Sequence, residues 1–89
     1  MRLITYLIPV YNEFKTVREA INKVLNFNFN IAEILIIDNC SSDGSIEIIK
    51  EFKKYKNIKI ILKNKNYGWG DTVKRAMKLA TGEYLFIHH

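Results

Sequence analysis

Two polar segments of this chain carry side chains suited to holding a ligand, and each follows an apolar run. The first is Pro9-Val10-Tyr11-Asn12-Glu13, behind Leu3 to Ile8; the second is Asp38-Asn39-Cys40-Ser41-Ser42-Asp43-Gly44-Ser45, behind Ile34 to Ile37. Pro9 has no N–H and stops a strand ladder, which frees the backbone after it to meet a ligand. Tyr11 offers a flat face against which a base can pack. The Glu13 carboxylate can accept from a base or a ribose; equally, it can favour the positive end of the helix that follows. Asp38 can accept from base N–H groups or ribose hydroxyls, and the Asn39 amide can both donate and accept. Asp38 can also simply shape its turn, but ligand contact is the preferred reading. For Asp43 and Gly44 the preference reverses: they shape the turn and cap a helix that begins near Ser45.

A third segment, Asn66-Tyr67-Gly68-Trp69-Gly70-Asp71, opens another helix. Gly68 and Gly70 allow close backbone approach to a phosphate, although the third glycine of a dinucleotide fingerprint is missing. Lys74 and Arg75, one turn later, suit a pyrophosphate or plain solvent. His88 and His89 are adjacent on a strand, so they point to opposite faces and make a poor shared metal site. The sequence has no Cys/His cluster and no Ser/His/Asp arrangement with usable spacing.

The elements that must position these groups alternate along the chain. Arg2 to Ile8 reads as a strand ended by Pro9. Thr16-Val17-Arg18-Glu19 fits a capping box, and Val17, Ala20, Ile21, Val24 and Leu25 fall on one helical stripe. Phe27 and Phe29, in the polar loop from Asn26 to Asn30, are expected to fold back onto the core. Ile34 to Ile37 is apolar without alternation, as in an interior parallel strand covered on both faces. A second helix starts at Ser45, with Ile46, Ile49, Phe52 and Lys53 at the border of its apolar and charged faces. Ile58 to Lys63 is a third strand whose inner lysine suggests a sheet edge. Val73, Ala76, Met77 and Ala80 make a third helical stripe, stopped by Gly82 in the usual C-terminal glycine position. Tyr84 to Ile87 is a fourth strand.

This alternation implies an α/β fold: a Rossmann-like parallel sheet of order 3-2-1-4 with helices on both faces. Ligands of such sheets bind outside the carboxyl ends of the strands, where the strand order reverses. That point lies between the first and fourth strands, and the polar segments above emerge at the same end.

Composition narrows the choice. The 89 residues, 48% of them apolar, suffice for one small domain with a real core. The formal charge of +5 comes mostly from scattered lysines and suits phosphate-bearing small molecules or an anionic membrane face. No basic run is interleaved with stacking aromatics, so nucleic acid is not expected as a partner. Cys40 is the only cysteine, which rules out an intrachain disulfide and points to a reducing, cytoplasmic compartment. No apolar run approaches the roughly 18 residues of a membrane span.

Taken together, Ile8-Pro9-Val10-Tyr11-Asn12-Glu13, Ile36 to Ser45 and Ala80-Thr81-Gly82-Glu83-Tyr84 resemble the inverting family-2 glycosyltransferases of GT-A fold. The resemblance covers essentially the whole chain. It implies the nucleotide-sugar-binding part of a transferase that moves a sugar, with inversion, from a UDP- or GDP-sugar to a lipid-phosphate or saccharide acceptor. Pro9, Tyr11, Glu13, Asp38 and Asn39 would then line a uridine or guanosine pocket, with Gly68 and Lys74 also contributing to substrate binding. The commonest family form has a second aspartate where Asn39 stands and a glycine where Cys40 stands. Asn66 to Lys74 looks closest to the branch that glycosylates polyprenyl phosphates, such as dolichyl-phosphate mannosyltransferase, in which an arginine usually takes the place of Lys74. The family's metal motif, which would hold Mg²⁺ or Mn²⁺, is expected after His89, and its catalytic base later still. No residue of this chain is therefore assigned a catalytic or metal role, and residues 1–89 are expected to be inactive alone. Peripheral association of the full protein with the cytoplasmic face of a membrane is also expected.

Two other classes fit less well. A non-catalytic Rossmann-like module of the phosphoacceptor kind would end its third strand in aspartate, where Leu62-Lys63-Asn64 stands. A sugar-1-phosphate nucleotidyltransferase would carry a glycine-rich loop with a basic residue after its first strand, where Tyr11-Asn12-Glu13 stands.

Overall fold

The computed structural model describes residues 3–27 and 30–88. Four strands, β1 (Ile4–Val10), β2 (Ile31–Asp38), β3 (Ile58–Leu62) and β4 (Tyr84–Ile87), alternate with helices α1 (Val17–Leu25), α2 (Ser45–Lys50) and α3 (Trp69–Leu79). All strand pairs are parallel and the order is β3-β2-β1-β4, as the alternation implied. The expected start at Arg2, the packing of Phe29 and the orientation of His89 lie outside the described residues.

The two faces of the sheet have separate cores. Ile8, Val10, Ile34 and Ile36 face α1 and α2, meeting Val17, Ile21, Val24, Ile48 and Ile49. Leu7, Leu35 and Ile37 face the other way, toward Ala76 of α3. Alternation along each strand divides the side chains between these layers, and β2 is apolar on both sides because both are covered. Phe27 folds back as expected, its ring 5.5 Å from that of Tyr6 and edge-on to it.

Several local expectations are corrected. Pro9 does not end β1; the strand runs through it to Val10. The Leu7 carbonyl accepts from His88 N–H on the β4 side, and the Val10 carbonyl accepts from Asn39 N–H on the β2 side. Backbone groups alternate in direction, so Pro9 nitrogen faces the β4 side, where β4 has already ended, and no ladder bond is lost. The capping box does not form: Thr16 makes no side-chain cap and instead donates to Glu13 Oε2 at 3.1 Å. Helix α2 is only six residues long and passes into turns that bring Phe52 to the core. Met77 lies on the solvent side of α3, 66% exposed, whereas Thr72 and Ala76 are the residues this helix buries.

Gly82 is not the terminating glycine of α3, which ends at Ala80 in extended conformation. It serves instead for close packing. A Cβ there would lie 2.6 Å from the backbone nitrogen of Thr5 and 2.8 Å from Ile4 carbonyl carbon and Leu3 oxygen. The Gly82 N–H donates to the Thr5 hydroxyl at 2.9 Å, and that hydroxyl donates to Glu33 Oε2 at 2.8 Å. Thr81 N–H also donates to Glu33 Oε2. Glu33 is 2% exposed, in a strand that begins three residues earlier than its apolar run suggested. Among the described residues the sole partner of its Oε1 is the Lys59 ammonium of edge strand β3, at 2.7 Å. Burial alone would raise the Glu33 carboxyl; Lys59, then Thr81 and Thr5, overcome this and hold it at about 2. This buried knot ties the α3–β4 loop to the amino end of the sheet, opposite the ligand end.

Candidate functional site

Val10, Asp38 and Leu62 are in register, so β1, β2 and β3 deliver their loops side by side. The loops after β1 and β2 are laced together. Asn12 N–H donates to Ser41 Oγ at 2.9 Å, and Ser42 N–H donates back to Asn12 Oδ1 at 2.8 Å. Glu13 N–H donates to the buried Ser45 hydroxyl at 3.0 Å, and Phe14 N–H donates to Asp43 Oδ2 at 3.0 Å. Sharp local geometry allows this: Asn12 has φ 49° and Cys40 φ 67°, both left-handed. Asparagine visits that region readily; cysteine does so at a cost of ~1 kcal/mol.

Asp43 does what the turn reading expected and more. Its Oδ1 accepts from the Ser45 N–H at 3.0 Å and the Ser45 hydroxyl at 2.6 Å, while Oδ2 holds the neighbouring loop through Phe14. The Ser45 hydroxyl, with the Phe14 and Ser45 amides, lowers the Asp43 carboxyl below its ordinary range. Gly44, at φ 98°, precedes α2 with the Phe14 ring 3.1 Å from where a Cβ would sit.

Asp38 is fully buried. Ser41 takes up both of its carboxylate oxygens, with N–H to Oδ2 at 2.8 Å and hydroxyl to Oδ1 at 2.6 Å. Ser41 is thus the central link between Asp38 and the β1 loop. Replacing Ser41 by Ala should cost about 1–2 kcal/mol, because the Asp38 carboxylate and Asn12 N–H each lose a partner. Urea denaturation measures this directly.

A hollow of about 280 Å³ opens between the loops, lined by Pro9, Tyr11, Glu13, Asn39 and Gly68 among others, with Trp69 at its wall. A second, of about 390 Å³, shares Pro9, Glu13 and Trp69 and extends between β1 and His88 at the end of β4. Together they follow the reversal in strand order. Five of the residues singled out from the sequence therefore meet in one crevice. Asp38 does not line it, and neither does Lys74, which is exposed on α3.

Trp69 was not singled out, although a lone tryptophan beside Gly68 at the mouth of a strand-to-helix loop was a usable signal. It is 53% exposed, and Tyr11 is 48% exposed. Lys63 and Thr72 were also overlooked. The Lys63 side chain is fully buried, paired with Asp71 at 2.9 Å and bonded to the Thr72 hydroxyl at 2.7 Å. Lys63, aided by Arg75, lowers the Asp71 carboxyl. Among the described residues no three His, Cys, Asp or Glu side chains converge to hold a metal ion, and no helix is long and apolar enough to cross a membrane.

The model of the glycosyl transferase family 2 domain matches residues 5–89. The chain belongs to this family. Relatives of the family 2 chain include a poly-beta-1,6-N-acetyl-D-glucosamine synthase of Staphylococcus epidermidis, 37% identical over 92% of the chain and 20% of that synthase. A poly(ribitol-phosphate) beta-glucosyltransferase of Bacillus spizizenii is 34% identical over 94% of the chain and 14% of its own length. The chain thus spans about a fifth or less of these relatives. Among solved structures, S. aureus TarS 1–349 superposes with a TM-score of 0.84 at 26% identity, over 97% of the chain and 26% of that TarS fragment. The fold also matches the mannosyltransferase PcManGT of Pyrobaculum calidifontis, solved with GDP-Man and Mn²⁺, with a TM-score of 0.81 at 19% identity, over 92% of the chain and 25% of PcManGT. The four-stranded sheet corresponds to the N-terminal, Rossmann-like part of the GT-A fold.

Proposed function

We propose that this chain is the donor-binding part of a glycosyltransferase that transfers a sugar from a nucleotide-sugar, with inversion, to a saccharide or polyol-phosphate polymer. One observation carries the reading: the laced β1 and β2 loops and the start of α3 bring Pro9, Tyr11, Glu13, Asn39, Gly68 and Trp69 around one hollow at the carboxyl end of the sheet. Tyr11 and Trp69 supply flat faces for a base, and Glu13 supplies an acceptor for base or ribose. The Gly68 backbone, at φ 88° with open space where a Cβ would be, leaves room for close approach. Asp38 acts through the loop it holds, and Lys74, exposed on α3, contributes only positive charge.

Family membership and the polymer-acting relatives favour a saccharide or polyol-phosphate acceptor; a polyprenyl phosphate is the alternative that the stretch from Asn66 to Lys74 suggests. A saccharide hydroxyl needs a general base to accept its proton as it attacks the anomeric carbon. A polyol hydroxyl needs one likewise, whereas a polyprenyl phosphate is already anionic and does not. The described residues do not fit a metal site, so none of them is assigned a cation-dependent step. The ligands for Mg²⁺ or Mn²⁺ belong in this reading to chain beyond His89, at the cytoplasmic face of a membrane if the acceptor is lipid-borne.

Titration calorimetry of the full-length protein with UDP and GDP, in the presence of Mg²⁺ or Mn²⁺, tests the reading. One of the two is expected to bind, and Tyr11→Ala to weaken it about tenfold through loss of base stacking. Binding of neither nucleotide would overturn it.

A further inference from the structure

The crevice residue least like its surroundings is Asn39, which is 6% exposed and yet lines the hollow beside Pro9, Tyr11, Gly68 and Trp69. The two ends of its amide have different fates. Oδ1 accepts from the Thr72 hydroxyl at 3.0 Å. Nδ2 has no hydrogen-bond partner among the described residues, so its two N–H groups are left for whatever enters the crevice.

What lies behind Thr72 decides which way the amide faces. Thr72 is fully buried, and its oxygen accepts from Lys63 Nζ at 2.7 Å. The Lys63 side chain is itself wholly buried and tethered to Asp71. A hydroxyl has one proton to give, and two oxygens are within reach: Asn39 Oδ1 at 3.0 Å and the Gly68 carbonyl at 3.2 Å. An ammonium on its oxygen polarises that O–H and raises the potential around it. The electronegative end of the amide is therefore drawn toward Thr72. The opposite orientation would turn two N–H groups toward a buried cation.

We infer that Asn39 is an obligate hydrogen-bond donor to the ligand, set by Lys63 through Thr72, so that this site reads an acceptor on the base, either a carbonyl oxygen or an unprotonated ring nitrogen. An aspartate at this position would read an N–H instead. The inference rests on the proposed nucleotide site and adds the hydrogen-bonding sense of its contact. Thr72 and Lys63 are positioning residues; Asn39 makes the contact.

Titration calorimetry of the full-length protein with UDP and GDP separates the two levels. If the unaltered protein binds neither, the nucleotide reading falls and the inference with it. If it binds one, Asn39→Asp is expected to weaken that nucleotide about thirtyfold, since a donor is lost and a carboxylate oxygen then faces the base acceptor. Equal or tighter binding by N39D overturns the inference while leaving the nucleotide reading intact. N39D keeps the size of asparagine and is the deciding variant. Thr72→Val, which removes the hydroxyl at constant volume, should weaken binding about fivefold, and Thr72→Ser should restore it. No change in T72V, or no rescue by T72S, would remove Thr72 from the assignment.

Discussion

Gly82→Ala is expected to destabilise the protein by about 3 kcal/mol, the upper end of the range for overpacking a tight site. The added methyl would sit 2.6 Å from a backbone nitrogen and 2.8 Å from two further backbone atoms, at Ile4 and Leu3, none of which can rotate away. Gly82 has no positive φ, so the penalty comes from contact and not from torsion. Relieving the clash pushes the α3–β4 loop outward and breaks the bond from Gly82 to the Thr5 hydroxyl. Gly70→Ala is the matched control. Gly70 lies within α3 with nothing within 4 Å of where the added methyl would sit, and alanine there should stabilise by about 0.5 kcal/mol through helix propensity. Urea midpoints that fall for G70A, or hold for G82A, would contradict this account of the two glycines.

Glu33 gives the second large effect, and it depends on pH. Its carboxyl is held at about 2 in the folded protein against an ordinary 4.5. A depressed carboxyl contributes stability that is fully present above its unfolded value and lost as pH falls through its folded value. The window therefore runs from about 4.5 down to about 2, and the contribution lost across it is on the order of 3 kcal/mol. Glu33→Gln keeps an acceptor for Thr5 and Thr81 but gives up the ion pair with Lys59. Below pH 4.5 its stability should fall less steeply than that of the unaltered protein. Parallel slopes for the two proteins would remove Glu33 as the source of this acid sensitivity.

Much of the fold could be read from pattern. The apolar runs at Ile34 to Ile37 and Tyr84 to Ile87 and the stripe from Val17 to Val24 lie where the structure has strands and a helix, and short right-handed crossovers then leave few sheet orders open. Family membership was legible for the same reason, since its motifs sit where strands end. The misreadings have a common cause: local sequence names a hydrogen-bonding group but not its partner. Thr16 and Glu19 have the spacing of a capping box, yet the Thr16 hydroxyl finds Glu13 in the loop before it. Gly82 follows α3 at a plausible interval, but the reason for glycine there is β1, seventy-seven residues earlier at Thr5. Met77 fits a stripe of which α3 fully buries only Ala76, the helix turning Thr72 inward instead, because one short helix covers that face of the sheet.

The crevice shows the same limit. Pro9, Tyr11, Glu13, Asn39 and Gly68 were found through their place at strand ends, which topology alone controls. Asp38 stands at such an end too, but Ser41, three residues on in the same loop, takes up both of its carboxylate oxygens and turns them away from the crevice. Lys63 closed the run read as the third strand and drew no separate reading. Its burial follows from α3 crossing above it with Asp71 and Thr72, a contact between residues eight and nine positions apart that periodicity does not reveal.

The lacing of the β1 and β2 loops also bears on kinetics. Ordering a loop at the moment of association costs roughly 1 kcal/mol for each residue immobilised, and it often shows as a slow second phase. Here Asn12, Glu13 and Phe14 are already fastened to Ser41, Ser42, Ser45 and Asp43. A molecule entering between the loops meets a preorganised wall, so encounter should be a single concentration-dependent step in stopped-flow mixing, with residence time governed by how fast the occupant leaves.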